Sequence, residues 1–164
     1  MAVKRAEMFY AHLEALLARM VPRSASQYLL QVAAGEVAPG EWGQLHDSVS
    51  ILFVSLDLAA AQQVGRDPTL LVQELNHVFS VLDTCLEDAP ECYKVETICN
   101  IYVVSAGVPQ PTKHHAQALA ALACRLALEL QALRWLSGAA VGWKMGAHCG
   151  SVFAGKQGGG CTEA

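Results

Sequence analysis

Basic charge is scarce in this chain: eleven Lys and Arg stand against fifteen Asp and Glu, a net charge of −4. A protein that holds nucleic acid needs a basic face to neutralise phosphates, so no nucleic-acid partner is expected. Long apolar runs are missing too. Glu14 and Arg19 interrupt the N-terminal segment, and Arg125 and Glu129 interrupt "ALAALACRLALELQAL". A membrane span needs about twenty predominantly apolar residues, and charges at its centre are costly. Neither signal peptide nor membrane insertion is therefore expected, and the expected location is cytoplasmic. The six cysteines, at 85, 92, 99, 124, 149 and 161, include no C-x-x-C pair. That spacing argues against structural zinc, and without a secretory signal reduced thiols are expected rather than disulfides. There is no G-x-S-x-G elbow, and "GGG" at 158–160 lacks the Lys-Ser/Thr that completes a phosphate loop.

What is present is apolar and periodic. With 164 residues, 53% of them hydrophobic and 16% charged, the chain suits one medium domain plus a short accessory segment. Leu13, Leu16, Leu17 and Met20 recur at helical spacing before Pro22, giving an amphipathic helix over about 4–20 within an N-terminal segment 1–24. That helix either packs on its own domain or is the end of a dimerising coiled coil. Residues 25–45, rich in glycine around Pro39, read as a linker. "DSVSILFVSLDL" reads as a buried strand, and Asp67-Pro68 as a helix start. Val72, Leu75, Phe79, Leu82 and Leu86 supply the apolar face of the helix that follows. Strands are expected over 93–98 and 101–106 across Cys99-Asn100, then a helix over 113–136 with Leu119, Leu122, Leu126, Leu130 and Leu133 inward. Gly138 is its stop, a glycine-interrupted strand follows, and 156–164 reads as a flexible tail. Strand, helix, strand, strand, helix, strand is the split βαβ order of a ferredoxin-like α+β sheet with helices on one face.

Five segments, "LLARMVPRSASQYL", "HDSVSILF", "YKVETICNIYVVSAGVP", "HHAQALAALACRLALEL" and "KMGAHCGSVFAG", resemble successive blocks of the class III nucleotide cyclases over roughly 14–155. "KVET" with Tyr102 and "GVP" resembles the guanylate-cyclase branch, and "HHA" its soluble β-type chains, so 46–155 is identified as a guanylate cyclase homology domain. The resemblance implies a dimer in which one chain supplies two aspartates for two metal ions. The other chain reads the purine and supplies an asparagine and an arginine that stabilise charge on the phosphate.

Carried over by position, the metal aspartates fall on Ser55 and Asn100. Both are neutral, whereas Mg²⁺ is held by carboxylate and phosphate oxygens, so neither is expected to be a metal ligand. Asp57, two residues on and on the same strand face, is a weak substitute, displaced by about 7 Å; otherwise it simply faces water. Leu58 stands where the resemblance places a glycine close to the phosphates. Glu96 occupies the guanine-reading position, where a carboxylate accepts from N1–H and the 2-amino group; the structural alternative pairs it with Lys94. His114 and His115 read as solvated or packed rather than as ligands. The chain ends at Ala164, where the resemblance calls for the segment bearing the asparagine and arginine, so a C-terminally incomplete domain is expected, with no catalytic residue assigned. The expectation is a pseudoenzyme that associates with another cyclase-type chain in cyclic GMP signalling and has no cofactor; GTP is a possible ligand, and Mg²⁺ or Mn²⁺ enters only if it is active. The alternative is the guanine-reading half of an active heterodimer converting GTP to cyclic GMP and pyrophosphate.

Overall fold

The computed structural model describes residues 11–12, 23–36, 42–62 and 68–156. The expected N-terminal helix lies almost wholly outside these residues, as do Asp67 and the segment 157–164. Two compact units are present: residues 1–45 together with 153–164, and residues 46–152.

The first described helix, α1 (Arg23–Ala33), corrects the sequence reading, which placed a linker from residue 25. Its end explains why it is stable there. Gly35 takes a left-handed φ of 74°, Glu36 N–H donates to Gln31 O and Gly35 N–H to Val32 O, the Schellman arrangement that satisfies last-turn carbonyls. The glycines that read as linker are in part a helix stop.

The remaining elements follow the expected order: β1 (Trp42–Asp57), the single-turn α2 (Ala59–Gln62), α3 (Pro68–Glu87), β2 (Cys92–Ile98), β3 (Ile101–Ala106), α4 (His115–Ala132) and β4 (Gly142–Lys156). α3 begins on Pro68, whose fixed φ and missing N–H suit a first helical position. α4 is shorter than the expected 113–136, because Leu133 is already extended with its N–H donating to Glu129 O. The sheet order is β2-β3-β1-β4, with β3 antiparallel to both β1 and β2. This is the α+β, ferredoxin-like arrangement the element order predicted.

Strand residues alternate between two faces. On one face Leu52, Val54 and Leu56 of β1 and Tyr102, Val104 and Ala106 of β3 are buried against Val78, Phe79, Leu82 and Cys85 of α3 and Leu119, Leu122, Leu126 and Leu130 of α4. Four members of the expected stripes sit differently. Leu75, Leu86 and Leu133 only flank this core. Val72 is exposed, two turns before Phe79 on the rim of an open cleft. The turn after α4 is held to α3 by Glu74, a buried carboxylate that accepts the backbone N–H of Leu136 at 2.6 Å and of Ser137 at 3.2 Å.

The opposite face carries no helix from residues 46–152. It is built in rows set by the register: Ile51 with Ser105 and Tyr93, Phe53 with Val103 and Glu96, Ser55 with Ile101 and Ile98. Phe53 and Ile98 are about half exposed on it.

Candidate functional site

The end of β1 and the β2–β3 hairpin bring together the positions singled out in the sequence. Ile98 pairs with Ile101, so Cys99-Asn100 is a two-residue hairpin loop. Such loops need a positive φ, and Cys99 supplies it at 53° despite its Cβ. The loop is tied to β1 twice: Leu56 N–H donates to Asn100 O at 2.9 Å, and Asn100 Nδ2 donates to Leu56 O at 2.6 Å. Ser55 lies beside this clamp, opposite Ile101 and half-buried on the open face.

The residues present do not fit a pair of divalent ions. At Asn100 the side chain acts as a hydrogen-bond donor to a carbonyl, a job that an ionised carboxylate cannot perform. Ser55 contributes a hydroxyl without charge. Asp57 is exposed on the same face as Ser55, but one carboxylate oxygen accepts the N–H of Ala59 at 2.9 Å and so caps α2. It also sits tightly against β4, where a Cβ at Gly142 would come within 2.9 Å of the Asp57 Cβ. Among the described residues, no three His, Cys, Asp or Glu side chains are grouped to hold a metal. Leu58 packs against the core rather than opening toward solvent.

Glu96 is exposed on the open face, in the row of Phe53 and Val103, with no hydrogen-bond or ion-pair partner among the described residues. The Lys94 partner offered by the structural alternative is engaged elsewhere. Its Nζ binds both oxygens of Asp83, at 2.7 and 2.8 Å, and lies 4.9 Å from the Tyr102 ring centroid. A register shift between Lys94 and Glu96 is the cause. An extra residue in one strand breaks the two-residue alternation, so residues two apart fall on opposite faces. Lys94 turns to the helices and Glu96 away from them. Asp83 also accepts from the Tyr102 hydroxyl at 2.6 Å. Burial, then this hydrogen bond and the Asp83 charge, push the Tyr102 hydroxyl far above its ordinary range.

Three clefts of about 290, 370 and 400 Å³ open on the domain, and none of these is lined by Ser55, Asp57, Glu96 or Asn100. A purine needs a concave site that buries most of its surface. Glu96 on an open sheet face meets that need only when a second surface closes over it.

Sequence reasoning passed over one constellation. His115 was read as packed or solvated; it stands half-buried at the start of α4, between the hydroxyls of Ser48 and Ser50. Ser48 and Ser50, two apart in a strand, announce a shared face, but no local pattern says that a histidine 65 residues on will meet them. Of the cysteines, 85, 92, 99, 124 and 149 are described and free.

Comparison with known proteins bears on the fold and the family. The family model for the adenylate and guanylate cyclase catalytic domain matches residues 43–161. The chain is 32% identical over 144 residues to guanylate cyclase soluble subunit beta-2 of Rattus norvegicus, covering 87% of this chain and 20% of that protein. It is 31% identical over 142 residues to an adenylate cyclase of Mycobacterium tuberculosis (strain ATCC 25618 / H37Rv), covering 87% and 31%. It thus spans about a fifth to a third of the length of these relatives. Among solved structures, the dimeric guanylyl cyclase domain of the RhoGC fusion protein from the aquatic fungus Blastocladiella emersonii superimposes with a TM-score of 0.64 at 21% identity, over 73% of this chain and 66% of that one. A bacterial light-regulated adenylyl cyclase reaches 0.64 at 15% identity, over 96% and 45%. The fold, the hairpin and the aligned sequence blocks point the same way: the chain belongs to the adenylate and guanylate cyclase catalytic-domain family.

Proposed function

We propose that this is a guanylate-cyclase-like domain without catalytic activity of its own, acting in the cytoplasm by association with another cyclase chain in cyclic GMP signalling. The observation that carries the inactive reading is the Asn100 amide donating to Leu56 O beside an uncharged Ser55. Of the two positions to which the resemblance assigns metal ligands, Asn100 instead ties the hairpin to β1 by hydrogen bonds and Ser55 offers only an uncharged hydroxyl. The open sheet face, with Phe53 and Ile98 exposed, supports the association. The beta-2 relatives are named as subunits, and the RhoGC domain is described as dimeric.

A second reading has its own observation. Glu96 is exposed and without a partner, in the state a guanine-reading carboxylate needs before nucleotide arrives. On that reading the chain is the purine-reading half of an active heterodimer that forms cyclic GMP and pyrophosphate from GTP, with Mg²⁺ or Mn²⁺ held by the partner.

Cyclic GMP production from GTP with Mn²⁺ tests both, for the purified chain alone and mixed with a complete guanylate cyclase catalytic domain. Silence alone and a changed rate in the mixture are expected. Product from the chain alone overturns the inactive reading, and an unchanged rate in the mixture overturns association. Loss of the mixed effect in Glu96→Ala selects the guanine-reading half.

A further inference from the structure

β1, α4 and β4 bring together four side chains that cyclase chemistry leaves unused. His115, the first residue of α4, has Nε2 2.9 Å from Ser48 Oγ and Nδ1 2.7 Å from Ser50 Oγ. Ser50 Oγ is in turn 2.8 Å from Cys149 Sγ. Ser50 is fully buried, whereas Cys149 is exposed on β4 at the edge of the sheet. A nucleophile open to solvent is thus joined to an imidazole base through one hydroxyl that bulk water does not reach.

The same contacts serve two proton arrangements. In the neutral one, the Cys149 thiol donates to Ser50 Oγ, the Ser50 hydroxyl donates to His115 Nδ1, and His115 Nε2–H donates to Ser48 Oγ. In the charge-separated one, the Ser50 hydroxyl donates to the Cys149 thiolate and both imidazolium N–H groups donate to the two serines. Every donor of Cys149, Ser50 and His115 is matched in each state, so none of these three side chains has to move when the proton does.

We propose that Cys149 is a thiol-exchange site for a small-molecule disulfide, with Ser50 and His115 relaying the thiol proton. The Cys149 thiolate attacks one sulfur of the disulfide, a Cys149–S bond forms and the S–S bond breaks. The departing sulfur leaves as a thiolate. One disulfide is replaced by another, so Cys149 sulfur is oxidised while the departing sulfur is reduced, and no further oxidant is needed. The thiol proton passes to Ser50 as the Ser50 proton passes to His115, and the departing thiolate is protonated from solvent. The other described cysteines differ: burial raises the pKa of Cys85 and Cys92, and the exposed Cys99 and Cys124 have no side-chain hydrogen-bond partner among the described residues. This inference does not depend on the cyclase reading.

The test incubates the full chain with glutathione disulfide at neutral pH and follows the mixed disulfide at each cysteine by peptide mass spectrometry. Cys149 should react about tenfold faster than Cys99 and Cys124 in the same molecules. Ser50→Ala and His115→Gln should each bring Cys149 down to the rate of Cys124 while leaving Cys124 unchanged. Continued protection of the buried Cys85 in the same molecules reports that the variant is folded, and the comparison within the unaltered chain stands even if a variant fails to fold. Equal rates at Cys149 and Cys124, or a Cys149 rate indifferent to both substitutions, overturn the proposal.

Discussion

Asn100 is held as a donor, so the sign of its hydrogen bond decides what else can stand there. An aspartate would set a carboxylate oxygen against the Leu56 carbonyl oxygen, 2.6 Å from the present nitrogen. Asn100→Asp should therefore destabilise the domain by about 1–3 kcal/mol, the cost of a lost hydrogen bond and a poorly matched polar group. Urea unfolding checks this; an unchanged midpoint would mean that the amide is not the clamp. Ser55 and Asp57 belong to the same local picture. One is an uncharged strand residue opposite Ile101, and the other caps the turn that follows β1.

At the scale of elements, two polar contacts join pieces that apolar packing alone would leave free to slide. Glu74 ties α3 to the turn after α4. Glu74→Ala leaves the N–H groups of Leu136 and Ser137 without that acceptor and should cost about 2–3 kcal/mol in chemical denaturation, with Glu74→Gln costing less. Asp83 ties α3 to β2 and β3 through Lys94 and Tyr102. Burial, followed by Asp83, raises the Tyr102 hydroxyl above its unfolded value of about 10. The folded state then holds this proton more tightly than the unfolded state does. Its stabilisation is complete below about pH 10 and is lost as pH rises beyond that. Thermal melts should show the midpoint falling more steeply above pH 10 in the native chain than in Tyr102→Phe; parallel curves would refute the linkage.

For the whole molecule, the decisive property is a sheet with helices on one face and an open second face within residues 46–152. Phe53 is 50% exposed at the middle of that face, in one row with Glu96. Phe53→Asp gives up the half of the ring that is packed and places a charge where a partner would have to bury it. It should abolish any effect on a complete cyclase domain while leaving the chain folded, its melting midpoint lowered by no more than about 4 °C, roughly the 1 kcal/mol of a strand-surface substitution. Retained association with this variant would move the contact to another surface. The three clefts are lined by residues other than those of this row.

Local signals were enough for most of the element order. Pro68 starts α3, the leucine spacing of α4 survives at Leu119, Leu122, Leu126 and Leu130, and Cys99-Asn100 turns the hairpin. Neutral residues at Ser55 and Asn100 were equally plain, because charge is a property of the residue type. Other features depended on hydrogen bonds and pairings that residue type alone does not announce. Helix α1 was hidden because its stopping glycine reads like a linker until the Schellman hydrogen bonds are seen. The separation of Lys94 from Glu96 follows from a register shift, which a sequence window cannot distinguish from regular alternation. His115, Ser50 and Cys149 meet only because α4 and β4 both pack against β1. Side-chain chemistry and short-range periodicity are written into neighbouring residues, so the sequence by itself determined the family, most of the element order and the missing charges. Which face each polar group takes, and which groups stand within hydrogen-bond reach, are set by strand register and by contacts that span up to 99 residues, and only the tertiary structure decided them.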